Sequence, residues 1–106
     1  MEKEAAVYRE KLCRYYTDDG KLTQFPSKRP MRIIALTRIA GQFEAGKRYT
    51  EKEVNEIIKN SISFNDVELV RRELYESGFL GRHRDGSAYW PEENWRETYS
   101  GYLEEA

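Results

Sequence analysis

Apolar residues recur at helical spacing in the first half of the chain. One stripe runs from Glu2 to Tyr16, and the polar run at 18–20 ends it. A short extended piece, KLTQFP, leads to the most hydrophobic stretch, from Pro30 to about Glu44, which predicts the central core helix. Gly46 lies where a left-handed cap would close that helix. The two stripes consist of Ala5, Tyr8, Leu12 and Tyr15 or Tyr16, and of Ile33, Ile34, Leu36, Ile39, Ala40 and Phe43.

The middle of the chain predicts a short strand and then a second helix. Lys47-Arg48-Tyr49 is a plausible strand. Thr50 and Glu53 then have the spacing of a capping box, in which each side chain binds the backbone amide of the other residue. The helix that they open carries Val54, Ile57 and Ile58 and is expected to end near Asn60.

The segment from Asn65 to Trp90 indicates a helix, a glycine stop and a tight hairpin. Val67, Val70 and Leu74 share one helical face, and Gly78 ends the helix. Asp85-Gly86 is a dipeptide typical of two-residue hairpin turns. That turn would pair Gly81 with Trp90, and Arg82 with Tyr89, whose ring we expect to form a cation–π contact with it.

The last segment predicts one more helix, because Pro91 suits a first helical position and Trp95, Tyr99 and Leu103 follow at four-residue spacing. The predicted fold is α+β and helix-dominated, a winged helix-turn-helix with an additional helix at each end. We expect a single domain over residues 1–106, with a core at about 25–90, an N-terminal helix at 2–16 and a C-terminal helix at 91–103.

Charge is distributed unevenly along the chain. Residues 21–90 carry 13 Lys and Arg against 9 Asp and Glu, whereas residues 91–106 carry one Arg against five Glu. A mildly basic middle permits an anionic partner without requiring one. With one cysteine, a charged N-terminus and no apolar stretch that could span a bilayer, the sequence favours a cytoplasmic protein without membrane contact.

Three groups of cations are candidates for contacts with double-stranded DNA. The third helix of a winged helix usually enters the major groove, which makes Arg71 and Arg72 candidates for base contacts. The predicted wing and the start of the core helix would contribute phosphate contacts. These further candidates are Arg82, His83 and Arg84 in the wing, and Lys28, Arg29 and Arg32 before and within the core helix.

A structural interpretation competes for the same cations. Arg71 and Arg72 lie close in sequence to Asp66, Glu68 and other acids, so that intrahelical ion pairs would account for both. Four acids on the third helix also favour a second function, a protein-interaction module that has a winged-helix fold and binds another protein instead of DNA.

The sequence gives little support for a catalytic function. His83 is the single histidine, and no serine or cysteine stands at a spacing that would make it the partner of a nucleophile. Cys13 is expected to fill a small space in the core. The chain has no cluster of Cys and His for zinc and no glycine-rich phosphate loop. We therefore expect no enzyme, no cofactor and no bound metal.

Tyrosine and tryptophan are concentrated in the two terminal helices. They either pack on the core or form the interface of a homodimer, because these rings offer apolar area with a polar edge. The candidate interface residues are Tyr8, Leu12, Tyr15, Trp95, Tyr99 and Tyr102.

Four segments in order carry a resemblance to a known family. They are PSKRPMRIIAL, FEAGKRYTEKEVNEII, LVRRELYESGFLGR and DGSAYW. They lie within the stretch from about Phe25 to Trp90, roughly two thirds of the chain, and this stretch resembles the bacterial family named domain of unknown function 2087. The resemblance implies a compact winged-helix-type domain. Some members occur beside ArsR-type helix-turn-helix regulators, which implies a DNA-associated role in transcription control.

Overall fold

The computed structural model describes residues 2–103, with side chains from residue 5 onward. Within that part the helices are α1 (Glu2–Leu12), α2 (Arg29–Ala40), α3 (Glu51–Ser61), α4 (Val67–Glu76) and α5 (Trp95–Thr98). Strands β1 (Leu80–Arg82) and β2 (Tyr89–Pro91) form an antiparallel pair. Two 3-10 turns, Cys13–Tyr15 and Ser100–Tyr102, follow α1 and α5.

Helix α2 is the centre of the core, as its apolar pattern predicts. Eight of its twelve residues are buried. The helix ends at Ala40, however, and the prediction that it continues to Glu44 is wrong. Phe43 reaches the core from the following turn, where its ring packs edge-on against Tyr49 at 5.1 Å. Gly46 has a φ of +79°, so it reverses the chain before Tyr49 and does not cap the helix.

Helices α3 and α4 begin at side-chain caps. The predicted capping box at α3 is confirmed: the Glu53 amide donates to Thr50 Oγ1 at 3.1 Å, and the Thr50 amide donates to Glu53 Oε1 at 2.8 Å. At α4, Asp66 Oδ1 accepts from the Leu69 amide at 3.2 Å, which starts the helix two residues later than predicted. Gly78, with a φ of +82°, ends α4 as expected.

The hairpin has the predicted register but a different turn. Gly81 pairs with Trp90, and Arg82 pairs with Tyr89. The predicted two-residue turn is wrong, because the His83 amide donates to the Ala88 carbonyl at 2.8 Å and a four-residue loop joins them. Gly86 has a φ of +77°, whereas Asp85 keeps a negative φ. A two-residue loop and a four-residue loop with the same centre pair the same residues of the two strands, so the predicted register is confirmed although the predicted turn is wrong.

The predicted strand at Lys47–Tyr49 is reduced to one bridge. Tyr49 exchanges two backbone hydrogen bonds with Tyr89, each of 2.8 Å. The bridge still attaches the segment before α3 to the hairpin, as the first strand of a winged helix does. In the piece before α2, Leu22 forms similar bridges to Tyr16 and Ile62.

The predicted C-terminal helix at 91–103 is wrong. Pro91 is the buried last residue of β2, and α5 is a single turn. The segment packs over the start of the hairpin: the Phe79 ring contacts the Trp95 ring at 5.3 Å and stacks on the Tyr99 ring at 4.6 Å. Burying aromatic area outweighs helix formation here, because a helix this short has little stability of its own.

The N-terminal helix packs on α2 and buries Ala5 and Leu12. Cys13 is exposed, so the prediction that it fills the core is wrong. The chain changes from α-helix to a 3-10 turn at this residue, which takes Cys13 out of the apolar stripe. Its thiol donates to the Arg9 carbonyl at 3.4 Å.

The observed order confirms the predicted fold class. Helices α2, α3 and α4 are followed by the β1–β2 hairpin, as in a winged helix-turn-helix, and α1 and α5 are the additional helices. One cluster of buried residues includes members from α1 to α5. Within residues 2–103, no helix has the length and apolarity to cross a membrane.

Candidate nucleic-acid interface

Arg71 binds inside the protein. Its Nη1 donates to Asn55 Oδ1 at 2.6 Å, and its Nη2 lies 3.8 Å from Glu51 Oε1. The side chain is 19% exposed. The expected intrahelical partners are therefore not the ones used, since both partners belong to α3. Arg71 ties α4 to α3, and a base contact would require it to leave both partners.

Arg32 has a similar structural role. Its Nη1 lies 3.2 Å from Glu73 Oε1, and its Nε donates to the Pro26 carbonyl at 3.1 Å. The guanidinium also lies over the Phe25 ring at 5.1 Å. These contacts join the start of α2 to α4, and they leave Arg32 poorly placed for a phosphate.

Arg72 lies on the outer face of α4. Its side chain is exposed and has no hydrogen bond or ion pair with any residue between 5 and 103. Glu68 and Glu76 stand four residues before and after it, and both are exposed. The neighbouring Tyr75 is 41% exposed. The outer face of α4 thus combines one cation, two carboxylates and an aromatic ring.

Arg82 connects α4 to the hairpin. Its guanidinium lies over the Tyr75 ring at 4.7 Å, so the predicted cation–π contact with Tyr89 is wrong. Tyr89 is 2% exposed because its ring belongs to the core, and its hydroxyl lies 3.5 Å from Glu51 Oε1. Arg82 instead reaches across to the ring that α4 presents beside it.

The wing loop carries the remaining basic candidates. His83 Nδ1 lies 2.8 Å from Asp85 Oδ1, and Arg84 is exposed with no ion-pair partner among the described residues. Hydrogen bonds from Ser87, and then from His83, lower the pKa of Asp85 to about 2. Asp85 is therefore ionised at neutral pH, and it offsets part of the positive charge of the loop.

Lys28 and Arg29 do not line the cleft that Arg72 and Arg82 share. Both are exposed, at and just before the start of α2. Lys28 lines a cavity of about 290 Å³ together with Lys11 and Arg14. It therefore faces α1, and the structure does not group it with the wing.

The aromatic residues proposed for a dimer interface are largely used within the chain. Leu12 is 0% exposed and Trp95 is 5% exposed, so neither offers area to a partner. Tyr99 stacks on Phe79, and its hydroxyl donates to the Ser77 carbonyl at 2.6 Å. Tyr8, Tyr15 and Tyr102 are half-buried against the core. A homodimer remains a prediction, which sedimentation equilibrium would test.

One feature of this surface was not predicted. A cleft of about 120 Å³ lies between α4 and β1. Its lining residues are Glu68, Arg71, Arg72, Tyr75, Arg82 and Tyr89. Sequence reasoning treated α4 and the wing as separate groups of cations, whereas the turn at Gly78 folds them against each other. The sequence signal that could have revealed the cleft is Tyr75, an aromatic residue one position outside the apolar stripe of α4.

A three-helix core with a bridging residue and a hairpin places the protein in the winged-helix class. The chain belongs to the DUF2087 family, described as uncharacterized proteins conserved in bacteria, which matches residues 21–91. The match extends from the piece before α2 to the end of β2 and leaves α1 and α5 outside. Comparisons with curated proteins and with solved structures gave no significant match.

Proposed function

We propose that the protein binds double-stranded DNA as a transcription regulatory domain. The observation that supports this most is the cleft between α4 and β1, which Arg72 and Arg82 both line, with the exposed Arg84 two residues further on in the wing loop. Arg72 and Arg84 have no internal partner among the described residues, so an external anion would complete their hydrogen bonding.

The proposed contacts differ in purpose. Arg82 and Arg84 of the wing and Arg72 of α4 bind backbone phosphates, which hold the domain in place without reading sequence. Arg72 is also the better candidate for a base edge, because Arg71 is held by α3. A guanidinium suits guanine, whose O6 and N7 accept two parallel hydrogen bonds. Catalysis has no part in this proposal.

Salt dependence gives the proposal a magnitude. Three phosphate contacts correspond to a slope of about −2.7 in log affinity against log salt concentration. Between about 50 and 200 mM salt, the affinity should then fall roughly 40-fold. Glu68 and Glu76 repel phosphates on the same helix, so we expect weak binding at the higher concentration.

Fluorescence anisotropy of a labelled duplex at these two salt concentrations tests the proposal. Arg82→Ala combined with Arg84→Ala should leave one phosphate contact and reduce the fall in affinity to about threefold. Lys11→Ala combined with Arg14→Ala removes the same two charges from exposed positions in and just after α1, and is the matched control. The absence of duplex binding by the wild-type protein at about 50 mM salt would refute the proposal.

A protein-interaction module is the second candidate. The observation in its favour is the outer face of α4, where Glu68, Glu76 and the exposed Tyr75 surround a single arginine. This second function predicts no duplex binding at low salt, even when two of the five carboxylates in residues 91–106 are removed by Glu104→Gln with Glu105→Gln. Deleting residues 91–106 is unsuitable for this test, because Trp95 and Tyr99 pack on Phe79.

A further inference from the structure

The cleft between α4 and β1 concentrates positive charge in a small volume. Three arginines, Arg71, Arg72 and Arg82, line about 120 Å³, and Glu68 is the one acidic residue in the lining. Glu51 lies 3.8 Å from Arg71 and offsets part of its charge. Arg72 and Arg82 have no carboxylate within ion-pair distance among the described residues. An anion between them would relieve the repulsion of like charges.

We propose that this cleft binds one phosphoryl group, held between Arg72 and Arg82. The source of that group, a backbone phosphate of DNA, rests on the proposed function. The chemistry of the cleft does not, because a free phosphorylated ligand presents the same oxygens. The inference therefore concerns a binding site with a defined ligand group, and its test separates the two sources.

The contact between Arg82 and Tyr75 prepares the arginine for this role. The guanidinium carbon lies over the Tyr75 ring, 4.7 Å from its centroid. Within the described residues the Arg82 side chain makes no hydrogen bond or ion pair, so its N–H donors are available to a ligand. The contact with Tyr75 restricts the side chain, and less side-chain entropy is lost when it binds an anion.

The back of the cleft is held by buried groups. Arg71 is fixed by its hydrogen bond to Asn55 and by its proximity to Glu51. The Tyr89 ring is 2% exposed and is anchored by the backbone exchange with Tyr49. Arg71 acts here as a positioning residue that adds partly neutralised charge, while Arg72 and Arg82 make the direct contacts.

Glu68 is the residue of the cleft whose charge disfavours anion binding. It lines the cleft and lies four residues before Arg72 on the same helix. Glu68→Gln should therefore tighten phosphate binding severalfold, because it removes a like charge from the ligand's surroundings. Glu76→Gln removes the same charge from α4 outside the lining and should have a smaller effect.

A titration with inorganic phosphate, followed by the NMR signals of the arginine Nε–H groups, tests the site directly. Sodium chloride at equal ionic strength is the reference. We expect saturating shifts of the Arg72 and Arg82 signals with phosphate alone. Arg72→Ala and Arg82→Ala should each weaken phosphate binding about tenfold or more, because each removes a charge-assisted hydrogen bond. Arg14→Ala should leave the titration unchanged.

Arg82→Lys distinguishes a shaped site from simple charge. Lysine keeps the charge but has neither the planar fork nor the stack on Tyr75, so most of the phosphate binding should be lost. Equal shifts with chloride and phosphate, or unchanged binding by Arg72→Ala, would overturn the inference. Circular dichroism of each variant confirms that the fold is retained.

The same variants with a labelled duplex identify the source of the phosphoryl group. If the duplex binds, and Arg72→Ala both weakens it about tenfold and lowers its salt slope by about 0.9, the group is a backbone phosphate. If inorganic phosphate binds as described and the duplex does not, the proposed function fails and the cleft serves a free phosphorylated ligand. If the duplex binds but phosphate produces no saturating shift, the proposed function stands and the inference is overturned.

Discussion

Replacing Gly81 by alanine should destabilise the protein, because this position has no room for a side chain. Gly81 lies opposite Trp90 in the hairpin. A Cβ at Gly81 would lie 2.5 Å from Cε2 of the indole and 2.7 Å from Glu92 Oε1. The Trp90 ring would have to move, since its rigid indole cannot bend away. The β1–β2 hairpin therefore requires a glycine at position 81.

The cost can be worked from the contacts that the indole would lose. Trp90 Nε1 donates to Glu92 Oε1 at 2.9 Å, and the Arg48 guanidinium lies 5.0 Å from the ring centroid. The lost hydrogen bond costs about 1 kcal/mol, the lost stack about 0.5 kcal/mol and overpacking about 1–3 kcal/mol. Alanine also lowers the conformational entropy of the unfolded chain, which offsets about 0.4–1 kcal/mol of this loss in stability. We expect Gly81→Ala to lower the free energy of unfolding by about 1.5–4 kcal/mol, and the melting temperature by about 6–16 °C.

Urea denaturation followed by circular dichroism measures this cost, and a double-mutant cycle assigns it. In a Trp90→Ala background the Cβ at position 81 meets no ring, so Gly81→Ala should then cost nothing or stabilise slightly. A single Gly81→Ala variant within about 0.5 kcal/mol of the wild type would refute the reasoning, by the usual size of surface effects. An equal loss of stability in the wild-type and Trp90→Ala backgrounds would also refute it.

Two further predictions separate structural from exposed charges. Arg71→Ala should lower the free energy of unfolding by about 1–2 kcal/mol, because it leaves Asn55 without its partner, whereas Arg72→Ala should stay within about 0.5 kcal/mol. Equal losses in urea denaturation would contradict the assignment of Arg71 to the α3–α4 contact. The pKa of Asp85 is lowered from 3.8 to about 2, so the hydrogen bonds of the wing loop should persist above pH 4 and be lost as the pH falls through about 2. The pH dependence of the Ser87 amide signal checks this, and a midpoint near 3.8 would contradict it.

Features whose chemistry lies within a few residues could be predicted from the sequence. The Thr50–Glu53 capping box and the stop at Gly78 depend on neighbouring backbone groups alone. The register of Gly81 against Trp90 follows from a loop centred on Asp85-Gly86, because two-residue and four-residue loops with that centre give the same pairing. Local sequence was sufficient in each case.

The C-terminal segment shows where such reasoning fails. A φ near −65° suits both the first turn of a helix and the end of an edge strand, so Pro91 fits either. The spacing of Trp95 and Tyr99 also fits a segment that wraps around the Phe79 ring, as the structure shows. Tertiary packing decided between the two, and it depends on residues far apart in the sequence.

The two adjacent arginines show the same limit at the candidate site. Arg71 and Arg72 have equal chemistry, and their roles differ only because α3 packs against one side of α4. Asn55, the partner of Arg71, precedes it by 16 residues. Tyr75 acquires its role from a strand that follows the helix, through its contact with Arg82. Neither relation can be deduced from spacing within one helix.

The most direct test of DNA binding is to map a mixed-sequence duplex onto the protein by amide chemical-shift changes at about 50 mM salt, where phosphate contacts are weakly screened. We expect the perturbed amides to belong to the exposed face of α4 and to residues 83–87, with α1 unaffected. Perturbations confined to α1 and the start of α2, or no perturbation at all, would contradict the proposal that this winged helix binds DNA through α4 and its wing.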